Sequence, residues 1–320
     1  MKQVRRAHAA VVVAAAGLVL AACGGGGGAG GGGGPELSGP VVIDGSSTVE
    51  PLSSAAAELF QGEHPGVNVT VGTSGTGGGF QKLCNGETDI SNASRPISDE
   101  ERAACEARNI AFEELQVAND ALTVVVNKEN TWANCLTVEQ LKAIWEPGSQ
   151  IRTWNQVDPS FPNEPLILFG PGADSGTFDY FTDEINGEEG ASRTDYSPSE
   201  NDNVIVQGVE GSRGAMGYFG FTYFEENQAR LKAIQIDNGN GCVAPSAQAV
   251  QDGSYTPLAR PLFIYVSDAA VKKPQVVAFT DFYLAENDRI VEAAQFVPMT
   301  PEQKQKALDA LAELKRKAGA

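Results

Sequence analysis

Apolar and polar positions along the chain switch between two periods. Three times a strand-like stretch meets a helix-like one through a short run of small polar residues. Val41-Val42-Ile43 is a short apolar run, and Val67-Asn68-Val69-Thr70-Val71 alternates with the period of two expected of a half-buried strand. The first leads into Gly45-Ser46-Ser47-Thr48, after which Val49, Leu52, Ala56, Leu59 and Phe60 recur at helical spacing, with Pro51 in a tolerated first turn. With Thr48 at the N-cap, the amides of Val49 and Glu50 are left for another acceptor. The second strand leads into Thr73-Ser74-Gly75-Thr76-Gly77-Gly78-Gly79 and a helix over 78–84, stopped by Asn85-Gly86. Leu166-Ile167-Leu168-Phe169 leads into Asp174-Ser175-Gly176-Thr177 and a third helix carrying Phe178, Phe181 and Ile185, stopped at Asn186-Gly187.

Between the second and third loops the pattern changes. Residues 121–126 are a buried-strand run, followed by a helix over 138–145 capped by Thr137-x-x-Gln140. A second apolar run, Leu262-Phe263-Ile264-Tyr265-Val266, reads as the return crossing, and an amphipathic helix near 301–317 places Leu308, Leu311 and Leu314 on one side. The pattern therefore predicts an α/β chain whose first domain is discontinuous, 39–122 with 260–320, and whose second domain, 123–259, is inserted in it.

The ends add a compartment. Lys2, Arg5 and Arg6 precede an apolar segment of about a dozen residues, within the roughly 7–15 of a signal peptide and short of the ~20 that span a bilayer, so 1–22 reads as a signal peptide. Leu20-Ala21-Ala22-Cys23, followed by glycine, resembles the lipobox of bacterial lipoproteins, which implies lipid modification of Cys23. Residues 23–38 then form a glycine-rich tether, of which Gly24 to Gly34 spans roughly 15–20 Å. Four cysteines remain, an even number with no C-x-x-C pair, which favours disulfides in an exported protein. Three pairings are open; Cys84 with Cys105 and Cys135 with Cys242 are favoured because each pair stays inside one domain.

Without 1–22 the chain holds 20 basic against 41 acidic residues, a net charge near −21. Such a chain does not bind nucleic acid by counterion release. It also repels anions at long range, so an anion site must work through close, buried donors. Polar loops at helix starts offer such donors, because the first amides of a helix lack intrahelical partners and the dipole there is positive. Three of them suggest one anion held from several sides, with Ser47, Thr48, Thr76, Gly77, Ser175, Gly176 and Thr177 as candidates. Ordinary capping and turn chemistry is the alternative for any one loop. Arg95, held extended by Pro96, adds a cation able to grip an oxyanion with two bonds; a surface salt bridge is the competing reading.

Catalytic readings find little support. His64 is the one histidine after the signal segment and falls in the turn-like Glu63-His64-Pro65-Gly66, leaving no good Ser-His-Asp arrangement. No phosphate-cradling G-x-x-x-x-G-K-[ST] run occurs, and Phe80 breaks a G-x-G-x-x-G pattern. Residues 237–241 echo a calcium loop but lack its distal glutamate, and read as a turn. No cofactor or metal is expected.

Taken in order, Gly45 to Thr48, Ser74 to Gly79, Asp89-Ile90 through Ser94-Arg95-Pro96-Ile97, and Asp174 to Phe178 resemble the phosphate-binding lipoproteins of the phosphate-specific ABC transporter. Leu136 to Leu141 with Thr153-Trp154-Asn155, and Gly214 to Phe219, extend the resemblance over roughly 40–300. It implies a two-lobed periplasmic-binding-protein fold (type II), each lobe a sheet flanked by helices, with the ligand in the interlobe cleft and no catalysis. It further implies a monomer on the extracytoplasmic face, with inorganic phosphate and ABC permease subunits as partners. Carried across, Thr48 and the Val49 amide match the first contacts, Thr76 the second, and Ser175, Gly176 and Thr177 the third. Ser47, Gly77 and Ser94 lie beside them, with Arg95 as main counter-charge. Two departures stand out. Family members carry an aspartate where this chain has Arg95, and an arginine where it has Pro171. The acceptor for the phosphate proton is thus displaced, and Asp174 is a candidate for it. A receptor for sulfate or molybdate, a secreted phosphoester hydrolase and a structural or adhesive lipoprotein are the rival readings.

Overall fold

A computed structural model describes residues 37–173, 175–199 and 201–319. The signal segment, Cys23, the tether up to Glu36, and Asp174 lie outside the described residues. The strands are β1 (Gly39–Gly45), β2 (Val67–Val71), β3 (Ile90–Ala93), β4 (Phe112–Asn127), β5 (Cys135–Thr137), β6 (Ile167–Gly170), β7 (Ser197–Pro198), β8 (Ala215–Gly220), β9 (Leu231–Ala233), β10 (Gln235–Asp237), β11 (Cys242–Val243) and β12 (Ala259–Ser267). The larger sheet runs β2-β1-β3-β12-β4-β8-β6-β7, with β9 also paired to β4, and a small sheet runs β11-β10-β5. β1 is parallel to β2 and β3, while β12 is antiparallel to β3 and β4, and β4 to β8.

Two large hydrophobic cores share this sheet, beside a small cluster of Phe80, Leu83, Ala93, Ile97, Phe263 and Tyr265. One gathers Val41, Leu52, Phe60, Leu115, Ala118, Leu262, Phe279 and Leu311; the other gathers Ala121, Val125, Trp145, Phe181, Tyr218 and Leu258. β4 and β12 each run through both. At ~3.3 Å per residue the 16-residue β4 is about 50 Å long, more than one core needs. Its unbroken burial from Val117 to Val126 explains why that run lacks the alternation of a half-exposed strand.

Local signals set several boundaries. Thr137 and Gln140 form a reciprocal capping box on the helix Val138–Trp145, and Thr300 with Gln303 does the same for Pro301–Ala318, which ends at left-handed Gly319. Cys84 is joined to Cys105 and Cys135 to Cys242, tying the helix Gly75–Cys84 to Asp99–Glu106 and β5 to β11. Residues 237–241 form the β10–β11 turn, with Asp237 Oδ1 accepting from the amides of Gly239 and Gly241.

Two expectations are corrected. In the last helix Ala307, Leu311 and Leu314 are buried, while Leu308 is 37% exposed. The inward stripe follows i, i+4, i+7 from Ala307, and Leu308 sits a further 100° round the helix. The second helix begins at Gly75, three residues before the expected Gly78. Asp44 Oδ1 accepts from the amide and hydroxyl of Ser74, which turns the chain early. The glycines serve close packing rather than a loose loop. A Cβ on Gly79 would stand 2.5 Å from Gly45 Cα and 2.6 Å from Ser91 Oγ, so only glycine lets this helix lie on β1 and β3.

Gly79→Ala is therefore expected to lower unfolding free energy by about 1–3 kcal/mol, as overpacking does, although an alanine inside a helix ordinarily stabilises by ~0.5–1 kcal/mol. Gly77→Ala, whose Cβ would meet nothing nearer than 3.6 Å, is the control. Urea unfolding of the two variants decides, and a stabilised Gly79→Ala protein would contradict the packing argument.

Candidate functional site

Two of the three polar loops line one cavity, and the third abuts the first through Gly176 and Thr48. A cavity of about 340 Å³ is lined by Ser46, Ser47, Thr48, Ser74 to Gly77, Ser94 and Arg95 from the first core's loops, by Asp179, Tyr180, Asp183, Glu184 and Glu189 from the segment after the third loop, and by Arg260. The strands β1, β2 and β3 end at this cavity, as open α/β sheets present ligand loops at their carboxyl ends.

Loop one departs from the expected cap. The helix Glu50–Glu63 has Val49 at its N-cap position, and the Glu50 amide donates to Ser46 O at 3.1 Å. A tight turn thus uses that amide, and Thr48 is left out of capping; its Oγ1 accepts from Arg260 Nη2 at 3.0 Å instead. Val49 packs its side chain in the first core, so it can offer a ligand backbone only.

In loop two, Thr76 and Gly77 fall in the first helical turn, where amides lack intrahelical acceptors. Thr76 Oγ1 lies 3.1 Å from Ser94 Oγ and accepts from the Ser94 amide at 3.3 Å, joining this helix start to the end of β3. Arg95 stands next to it with both terminal nitrogens 2.9 Å from the two Glu101 oxygens. Glu101 also completes the capping box with Ser98. Burial alone would push the Glu101 carboxyl up, but Arg95 and Ser98 hold it below the usual range.

Loop three supports the cavity from the other core. Ser175 caps the helix Gly176–Phe181 by accepting from the Thr177 amide at 3.2 Å. A Cβ on Gly176 would sit 3.0 Å from Thr48 Oγ1 and 3.2 Å from Thr48 Cα and N, so loops one and three touch through a glycine. Thr177 lines a second hollow with Asp120. Ser47, Thr48, Thr76, Gly77, Ser94 and Arg95 therefore share one cavity, whereas Ser175, Gly176 and Thr177 do not line it, and Gly176 adjoins it only through Thr48. Asp44, at the end of β1, is engaged by other groups: burial would raise its carboxyl, but Lys82 at 2.6 Å and Ser74 hold it low.

Arg260 is the residue that sequence reasoning missed. It occupies the strand position opposite Asp120, its Nε is 3.4 Å from Asp120 Oδ2, and its guanidinium lies 3.4 Å from the Tyr180 ring centroid. One signal was available: Arg260-Pro261 repeats the Arg-Pro pairing of Arg95-Pro96. Among the described residues no cluster of His, Cys, Asp or Glu could hold a metal ion.

Burial pushes the Asp179 carboxyl up from the usual 3.8 to about 6, helped by Glu189 and opposed by Arg260. Burial and Asp183 likewise raise Glu184. Between pH ~4 and ~6 the folded protein then binds more protons at Asp179 than the unfolded chain, so stability falls as pH rises through that window. Asp179→Asn is expected to raise the melting temperature at pH 7.5 by roughly 1–3 °C, with most of the gain gone by pH 4.5. Thermal melts at the two pH values test it, and an equal gain at both would contradict it.

Residues 30–287 match the model of the PBP superfamily domain. The chain is 52% identical over 262 residues to protein SphX of Synechococcus elongatus, spanning 81% of this chain and 77% of that one. It is 38% identical over 263 residues to the phosphate-binding protein PstS of Staphylococcus saprophyticus, covering 82% and 81%. The crystal structure of a possible phosphate binding protein from Planctomyces limnophilus superposes with a TM-score of 0.84 at 46% identity, over 87% of this chain and 99% of that one. With a domain match over most of its length and a PstS relative of this identity and coverage, the chain belongs to the PBP superfamily and, within it, to the family of PstS-type phosphate-binding proteins.

Proposed function

We propose that this protein captures inorganic phosphate outside the cytoplasm and delivers it to an ABC permease for import, acting by binding and release rather than by turnover. The observation that carries this reading is that Thr48 and Thr76 line one cavity together with Arg260, while the Gly176 helix start beside the other core abuts Thr48. Phosphate carries close to −1.5 charge near neutral pH and needs many donors once out of water. In this reading the hydroxyls of Ser47, Thr48, Thr76 and Ser94, the backbone of Val49 and Gly77, Arg95, and the loop of Asp174, Ser175, Gly176 and Thr177 supply the shell. The lobes divide at 39–122 with 260–320 against 123–259, and closure about the crossing strands completes the site. We propose further that Cys23 carries a lipid anchor, that 1–22 is removed, and that the receptor is a monomer docking on permease subunits. No helix among the described residues is long and apolar enough to cross a membrane.

Calorimetric titration of the folded domain is expected to give saturable phosphate binding at micromolar concentration and no competition from sulfate near pH 8. Absence of phosphate heat contradicts the reading, and preferential sulfate or molybdate binding replaces it with another oxyanion receptor. Gly176→Ala places a Cβ 3.2 Å from Thr48 Cα and N, so the two loops must part by a few tenths of an ångström. Its phosphate affinity is expected to fall about tenfold, some 1.4 kcal/mol, with little change in the melting temperature of the unliganded protein. Unaltered affinity would show that the loops need not close to this distance.

A further inference from the structure

We infer that Arg260, rather than Arg95, carries the principal positive charge that meets bound phosphate, and that it does so from the strand pair joining the two cores. This rests on the phosphate-receptor reading and deepens it.

Two cations face the cavity together with the carboxylates of Asp179, Asp183, Glu184 and Glu189. They differ in what already neutralises them. Arg95 is 47% exposed and its fork is matched to both oxygens of Glu101, a bidentate pair at 2.9 Å whose carboxylate is also fixed by the Ser98 cap. An added anion there must displace a well-formed partner, in solvent that screens the charge. Arg260 is 15% exposed, and its carboxylate partner Asp120 touches it through one long contact of 3.4 Å to Nε. Burial pushes the Asp120 carboxyl up against the pull of Arg260, so this partner holds its own charge at a disadvantage. A guanidinium has five N–H donors, and among the described residues Thr48 and Asp120 take one each. A charge in low dielectric acts on an anion far more strongly than a solvated one.

Position adds a second reason. Arg260 donates to Thr48 of loop one, lies against Tyr180 of the helix that follows loop three, and sits opposite Asp120 on β4. Ala118 and Leu262 belong to one core while Ala121 and Leu258 belong to the other, so the Asp120–Arg260 pair lies where the cores divide. A ligand bound to this guanidinium is therefore held at the point about which the lobes would close.

The test is phosphate calorimetry on wild type, Arg260→Gln, Arg260→Lys and Arg95→Gln, each checked by a ligand-free melt. Arg260→Gln is expected to weaken binding about 100-fold or more, the range seen when one side of a buried charge contact is removed, and Arg95→Gln by less than about tenfold. Arg260→Lys should recover part of the loss. An Arg260→Gln protein within about threefold of wild type, or a larger loss in Arg95→Gln, overturns the inference while leaving the receptor reading intact; a wild type that binds no phosphate refutes the receptor reading itself. If Arg260→Gln fails to fold, Asp120→Asn decides. Removing the competing carboxylate should tighten phosphate binding at least about threefold, and equal or weaker binding overturns the inference.

Discussion

The antiparallel pairing of β4 with β12 is the constraint on which the rest depends. These two strands carry the chain between the cores, and every site element is placed relative to them: β3 flanks β12 on one side, and β8 and then β6 follow β4 on the other. Loops one and two thereby line one cavity, and loop three, from the other core, meets loop one through the Gly176–Thr48 contact. Each loop alone is an ordinary strand-to-helix turn. Their convergence is a property of the sheet order, in which strands far apart in sequence become neighbours.

The electrostatics of the site follow from the same arrangement. A chain with 41 acidic and 23 basic residues offers no attractive field to an anion, so binding must come from donors fixed at short range. The structure supplies hydroxyls and first-turn amides held by neighbours: Thr76 by Ser94, Ser74 by Asp44, and the Gly176 turn by Ser175. Close by stand carboxylates that burial drives toward the neutral form, Asp179 above all. With a pKa of about 6, Asp179 stays mostly ionised at pH 7.5 and loses its repulsion of an anion only as the pH falls below that value.

Much of this was legible in the sequence because it is local. Period-two alternation marked β2, the Thr137-x-x-Gln140 box fixed a helix start, and the two disulfides followed from keeping each pair inside one domain. What was hidden is non-local. Glycines at 75 and 77–79 argue for loop by propensity; the helix start follows from Asp44 holding Ser74, and Gly79 is needed where the helix lies on β1 and β3. Arg95 was visible as a cation, but its pairing with Glu101 depends on the Ser98 cap folding the carboxylate back toward it. Arg260 looks like the first polar residue of a buried strand, and nothing near it in sequence names Thr48 or Tyr180 as its neighbours.

The central claim is that one oxyanion is held at once by loops from both cores. Anomalous diffraction from crystals grown with arsenate, a heavier oxyanion of the same geometry, tests it directly. The prediction is a single strong peak within hydrogen-bonding distance of Thr48, of Thr76 or Ser94, and of the Ser175–Thr177 loop. A peak held by one core alone, or no peak in this cavity, would contradict it.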